Sequence, residues 1–176
     1  IFVITRDDIA RSGAASLPEA LRLAPGLEVA RAGTRDWAIS ARGFNDVVSN
    51  KLLVLVDGRA VYSPLFAGVF WDVQSVLLDD IDRIEVVSGP GGTLWGANAV
   101  NGVINIISKS AKDTPGTYVS VGGGSFEQNF EAIRYGGSVG PNFFFRVYFE
   151  QFAYDSTTLP DGADFGDAWH MAQGGF

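Results

Sequence analysis

The sequence predicts a small mixed α+β domain followed by antiparallel strands of the kind that build a transmembrane barrel. Three observations carry this. Residues 81–109, IDRIEVVSGPGGTLWGANAVNGVINIISK, hold a charged strand, a Gly-Pro turn, a glycine-rich stretch and an apolar strand in one short segment. The polar run Lys112-Asp113-Thr114-Pro115-Gly116 then marks a boundary after which the pattern changes. Beyond it Phe143, Phe145, Val147 and Phe149 alternate with Phe144, Arg146, Tyr148 and Glu150, so one side is wholly apolar and the other carries charge.

Taken in order, Phe2-Val3-Ile4 reads as a short strand, and Thr5 with Asp8 fits a capping box that opens a helix. Ser16 with Glu19 fits a second, with Pro18 inside the first turn. The helix that follows carries Leu17, Ala20, Leu21 and Ala24 on one face until Pro25-Gly26 stops it. Residues 27–30 and 39–42 are strands. Residues 52–56 are an unbroken apolar run closed by Asp57-Gly58, hence a buried strand ending in a turn, and residues 59–62 return. Residues 63–72 form a loop of unusual content, with Leu65, Phe66, Val69, Phe70 and Trp71. Asp79-Asp80-Ile81 is a helical turn before the strand of residues 82–87. Gly89-Pro90-Gly91-Gly92 ends that strand, and residues 103–107 form the next, apolar on both faces and therefore buried. Past the boundary, residues 118–122, 129–137, 142–154 and 167–176 are strand-length segments. Gly140-Pro141-Asn142 is a tight turn, and residues 155–166 a longer polar loop.

Composition bounds the function. Hydrophobic residues make up 47% of the 176, enough for a core, and the net charge of −7 argues against a nucleic-acid partner, which would want a basic face. There is no Cys, so disulfides and thiolate metal sites are excluded, and one His with one Met leaves little for soft-metal ligation. No run of 18 apolar residues exists, so no transmembrane helix is expected. A barrel strand needs only about ten alternating residues. A barrel with a plugged lumen needs about 22 strands, more than are present, and the chain is expected to be part of a longer, exported protein. Taken alone, the strands after residue 116 fit equally a soluble meander with one face on a core.

The ordered motifs decide between these. The 81–109 segment resembles the end of the plug domain of TonB-dependent outer-membrane receptors, which reads E-[RV]-[IV]-E-V-x-R-G-P and then L-Y-G-x-x-A-x-x-G-x-[IV]-N-[IV]-I-[TS]-K. Ile4-Thr5-Arg6-Asp7-Asp8-Ile9 is similar to the family's first strand and helix. Leu17 with Glu19-Ala20-Leu21 and Pro25-Gly26-Leu27 is similar to its L-x-x-x-L-x-x-x-P-G-[VI]. Ile39-Ser40-Ala41-Arg42-Gly43-Phe44 resembles I-x-I-R-G-F, and Leu53-Val54-Leu55-Val56-Asp57-Gly58 resembles L-V-L-[IVL]-D-G. The resemblance implies a plug domain over residues 1–113 and the N-terminal strands of an incomplete outer-membrane β-barrel over 117–176. It implies a transport receptor of a Gram-negative outer membrane, in contact with outer-membrane lipids. Its partner would be TonB of the TonB-ExbB-ExbD complex. The cargo would be a scarce nutrient, first of all a ferric siderophore, with cobalamin, haem, sugars and other chelates open. A free-standing plug-like interaction or signalling module is the alternative.

The resemblance also implies site residues, since in the family the apical loops of the plug face the cargo. At the matching positions the substrate-binding residues would be Arg35, Trp37, Asn45, Tyr62, Phe66 and Trp71, with Arg35 pairing with an anionic chelate and the rings stacking on it. Arg42 of the R-G-F motif is the expected latch between plug and barrel, where the family pairs it with barrel glutamates. The family's second Arg, before the Gly-Pro, is Ser88 here, which halves that latch. No cofactor or metal is expected. Nor is an enzyme: Ser88–Gly92 lacks the phosphate-loop pattern, Asp57 sits in a turn, Asp79 and Asp80 suit a helical turn, and His170 stands alone.

Overall fold

A computed structural model describes residues 1–176 except Phe44, Phe66, Ala67 and Ser75. The chain separates into two compact units, Ile1–Ser108 and Lys109–Phe176.

The first unit is built on a five-stranded mixed sheet in the order β1-β6-β7-β4-β5. Its strands are β1 (Phe2–Thr5), β4 (Leu52–Val56), β5 (Arg59–Ala60), β6 (Ile81–Ser88) and β7 (Gly102–Ser108). β4 and β7 run parallel, with Val54 opposite Ile104, and the other pairs are antiparallel. A separate antiparallel ribbon joins β2 (Leu27–Arg31) to β3 (Trp37–Ala41). Period-two alternation explains the core. Ile4, Val54, Ile84, Val86, Ile104 and Ile106 point to one face. They meet Ile9 of α1 (Arg6–Ser12) and Leu17, Ala20 and Leu21 of α2 (Leu17–Leu21). A smaller cluster of Leu53, Leu55, Val103 and Ala99 closes part of the opposite face.

Local chemistry sets the joints. Thr5 Oγ1 accepts from the Asp8 amide at 3.2 Å while Asp8 Oδ2 accepts from the Thr5 amide at 3.0 Å, the reciprocal cap the sequence predicts. At α2 the expected box is different: Ser16 makes no side-chain cap, and Glu19 Oε2 instead accepts from the Ala15 amide at 2.8 Å. Asp57 turns the chain at φ 49°, a left-handed conformation that short polar side chains tolerate. Its carboxylate accepts from the Ser108 amide at 2.8 Å and from Ser108 Oγ at 2.9 Å, tying the end of β4 to the end of β7. The glycine-rich segment, expected to turn tightly over Ser88–Gly92, continues into a short helix, α3 (Gly92–Trp95).

The second unit is a four-stranded antiparallel meander, β8 (Gly116–Gly122), β9 (Glu127–Val139), β10 (Phe143–Tyr154) and β11 (Trp169–Gly175). Its register sets Val119 beside Ile133 and Phe149, and Tyr135 beside Val147, on one face. These side chains are exposed, so that face has no core to cover it within the unit. The other face aligns Tyr118, Arg134 and Tyr148, with the Arg134 guanidinium 5.2 Å from the Tyr118 ring, and Glu150 beside Gln173, which donates to it. An uncovered apolar face backed by a polar one is the pattern of lipid-out, lumen-in strands. At one end Phe152, Tyr154 and Trp169 stack, with Phe152–Trp169 centroids 5.5 Å apart, edge to face.

Candidate functional site

The β2–β3 ribbon carries a tryptophan with arginines held around it. Its connection, residues 32–36, is closed by the Ala32 amide donating to the Asp36 carbonyl at 2.8 Å. Arg31 fixes the turn from inside: Nε donates to the Gly33 carbonyl at 3.0 Å and Nη2 to the Thr34 carbonyl at 2.6 Å. The same guanidinium lies 5.2 Å from the Trp37 ring centroid, and that of Arg22, just past α2, lies 5.4 Å from it. Arg35 and Asp36 project from the tip into solvent.

This corrects the expectation for two aromatic residues. Trp37 is 7% exposed and Trp71 6%, and both belong to the core cluster. Their rings are not surfaces on which a ligand stacks in this conformation. The physical reason is coverage. The two short helices leave much of the sheet face bare, and Val69 and Trp71, from what reads as a surface loop, fold back to close it with Val61. Leu65 in the same segment is 80% exposed, and Tyr62 is half-buried. Asn45 is exposed, and Phe66 lies outside the described residues.

At the opposite end of β3, a junction forms around Asn101. Its Nδ2 donates to the Ala41 carbonyl at 2.9 Å and its amide to the Lys51 carbonyl at 2.8 Å, while its carbonyl accepts from the Gly89 amide at 2.9 Å. One residue thereby joins the ends of β3 and β6 to the start of β4. Arg42 sits here at φ 60°, exposed, with Nη2 3.9 Å from where a Cβ on Gly89 would lie. It makes no ion pair with a described residue. The R-G-F arginine and the Ser88-Gly89 turn, far apart in sequence, are neighbours. Gly68 packs on Val48, so the loops that contain Asn45 and Tyr62 also meet. Arg35 stands at the other end of β3, about 20 Å away at the rise of a strand. The expected binding residues are therefore divided between two places.

Elsewhere on the sheet, Glu85 accepts from Arg83 Nε at 2.8 Å and from Asn105 Nδ2 at 3.2 Å. These bonds, that from Arg83 foremost, hold its carboxyl below the usual carboxylate range. Among the described residues no group of three or more His, Cys, Asp or Glu side chains is arranged to hold a metal ion. Arg22 and Arg31 escaped the sequence reading, as did the bridging role of Asn101. Asn101 carried a signal, as one of two asparagines between a glycine-rich turn and a buried strand. Arg22 and Arg31 carried none, because their roles depend on the ring between them.

Comparison with known proteins bears on this geometry. A family model described as the TonB-dependent receptor plug domain matches residues 1–103. The chain is 40% identical over 137 residues to the vitamin B12 transporter BtuB of Vibrio vulnificus (strain CMCP6), covering 75% of this chain and 22% of that protein. Among solved structures it is similar to a mutant ferric enterobactin receptor, PfeA of Pseudomonas aeruginosa, in complex with enterobactin. There the identity is 26% and the TM-score 0.66, over 89% of this chain and 25% of that one. The copper transporter OprC matches at 20% identity and a TM-score of 0.74, over 98% of this chain and 27% of that one, a likeness of fold alone. The chain spans about a fifth of the length of the curated relatives it matches, 22% in each case.

Proposed function

The chain belongs to the TonB-dependent receptor plug-domain family, and from that premise we propose that it supplies the plug domain and opening barrel strands of an active uptake receptor in a Gram-negative outer membrane. The observation that carries the reading is the pairing of a plug-type mixed sheet with a meander whose apolar face has no core of its own. Outer-membrane lipid is the proposed cover for that face. A nutrient binds from outside and loosens the plug domain. TonB, energised by the proton gradient through the TonB-ExbB-ExbD complex, then drives the opening. The cycle is one of binding and transport, without a covalent step, and the matched relatives are transporters and receptors rather than enzymes.

Arg35, Asn45 and Tyr62 are the proposed ligand contacts, and Arg42 the proposed latch. Exposed and without an ion pair to a described residue, Arg42 is available to a carboxylate elsewhere in the receptor, where a bidentate pair would be specific and costly to break. For the cargo we propose a ferric siderophore, a reading supported by exposed Arg35. The 40% identity to a vitamin B12 transporter favours a corrinoid as the second reading. The test is uptake of radiolabelled ferric enterobactin and cyanocobalamin by cells with and without the gene, each with and without TonB. Receptor-dependent uptake that disappears without TonB supports the reading; uptake unaffected by loss of TonB refutes it.

A further inference from the structure

The polar run of residues 112–116 reads in sequence as a boundary, where a slack linker between two units would lie. In the structure this stretch is folded and seated. Ala111–Asp113 form a 3-10 turn opened by Ser110, whose Oγ accepts from the Lys112 amide at 3.3 Å and whose carbonyl accepts from the Asp113 amide at 2.9 Å. Thr114, which closes the turn, is 3% exposed. Three contacts hold the turn on the polar face of the meander. Arg146 Nη1 donates to the Lys109 carbonyl at 3.0 Å. Lys112 Nζ lies 5.8 Å from the Phe144 ring centroid. The Thr114 carbonyl occupies the place where a Cβ on Gly136 would be, so glycine alone lets the two backbones meet there. Register puts all three wall residues on one face: Gly136 pairs with Arg146, and Phe144 stands two positions before Arg146.

Ser108, one residue before Lys109, belongs to the first unit and is tied within it, because the Asp57 carboxylate accepts from both its amide and its hydroxyl. Consecutive residues are thus fastened to different units. Resting on the uptake-receptor reading above, we propose that residues 109–115 are a fixed strap, pinned to the barrel wall by Arg146 and Gly136. The strap stays seated throughout transport, and the first unit moves about the Ser108–Lys109 link alone. A slack linker of this length would let the end of β7 travel by up to about 23 Å at the reach of an extended chain. A seated strap removes that slack and leaves only the torsions of one link as a pivot. Arg146 acts through the strap, as a positioning residue. Its bond carries a formal charge on the donor, which makes it worth more than a neutral one.

The experiment follows labelling of Thr114→Cys by N-ethylmaleimide in the full receptor in cells, with the receptor lacking that substitution as the blank. These 176 residues contain no native cysteine. The thiol, buried under the strap, should label far more slowly at rest than in boiled receptor. Its rate should stay within about twofold of the resting one while cells with TonB take up radiolabelled cyanocobalamin or ferric enterobactin. Arg146→Gln and, separately, Gly136→Ala should each raise the resting rate about tenfold, and Arg146→Lys, which keeps a donor, should raise it less. Heat-modifiability identifies the variants whose barrel is intact. Labelling that rises with TonB-driven uptake overturns the proposal, because the strap then leaves the wall. So does a thiol that labels at rest as fast as in boiled receptor, or a rate unchanged by Arg146→Gln and Gly136→Ala in intact barrels. Uptake indifferent to TonB overturns the transport reading instead, and the Arg146 and Gly136 variants then still decide whether the strap is seated.

Discussion

Replacing Asp57 isolates one joint of the plug sheet. Asp57→Ala removes two acceptors, for the Ser108 amide at 2.8 Å and the Ser108 hydroxyl at 2.9 Å, and forces a β-carbon without polar compensation into φ 49°. Left-handed backbone costs alanine about 1–2 kcal/mol. Two partly exposed bonds to a carboxylate add about 1 kcal/mol more after solvent discount, for about 2–3 kcal/mol of local stability. Asp57→Gly keeps the conformation and loses the bonds, so about 1–2 kcal/mol is expected. Asp57→Asn tolerates the angle and retains acceptor and donor, for less than about 1 kcal/mol. The assay is hydrogen exchange by mass spectrometry on the intact receptor, following peptides with the Asp57 amide, which donates to the Ile106 carbonyl at 2.9 Å, and the Ser108 amide. Protection should fall about 30- to 150-fold in Asp57→Ala, with the order Asn, Gly, Ala from best to worst. Alanine protection within about twofold of native, or glycine worse than alanine, would refute the reasoning.

Other expectations follow from the same geometry. Gly102→Ala places a Cβ against the Val87 carbonyl where β7 begins beside the end of β6, where backbone has to move, and should cost about 1–3 kcal/mol in protection of β6 and β7. Ile104→Ala opens a cavity at a fully buried position and should cost about 2–5 kcal/mol by the same measurement. Glu85 and Asp8 have depressed carboxyl pKa values in the fold, from the Arg83 and Thr5 hydrogen bonds respectively. Their stabilisation is therefore present above the unfolded values of 4.5 and 3.8 and is lost as pH falls through the lower folded values. Thermal melts of the plug should lose stability in that acidic range, and less steeply in Glu85→Gln with Asp8→Asn. On the meander, Val147→Arg places a charge on the apolar face and should cost about 2–4 kcal/mol near a bilayer midplane, read as lost heat-modifiable receptor. Ser120→Arg on the opposite face should insert normally.

The strands were legible because their signals are local. An unbroken apolar run ending in Asp57-Gly58 suffices for β4 and its turn, and the two-residue alternation from Phe143 fixes the faces of β10. The placement of the candidate residues was legible only where it depends on each residue's own neighbours. Arg35, in a turn between strands, is exposed as expected, and Arg42 closes β3 as the R-G-F motif implies. Trp37 and Trp71 were misjudged because their burial depends on how much of the sheet the helices cover, a property of the assembled layers. Arg22 and Trp37 meet only through the packing of α2 on the ribbon, and Asn101 reaches Ala41 across sixty positions of sequence. Neither contact follows from the strand or helix period along the chain.

The central claim is that this chain is part of a membrane-inserted receptor, and the most direct test is gel mobility with and without boiling. Outer-membrane extracts would be probed with an antibody raised to these 176 residues. The account predicts a band from a chain several times longer, in the outer-membrane fraction, whose mobility shifts on boiling as an intact barrel unfolds. A soluble band no longer than these residues, indifferent to heat, would contradict it and leave a free-standing interaction module in its place.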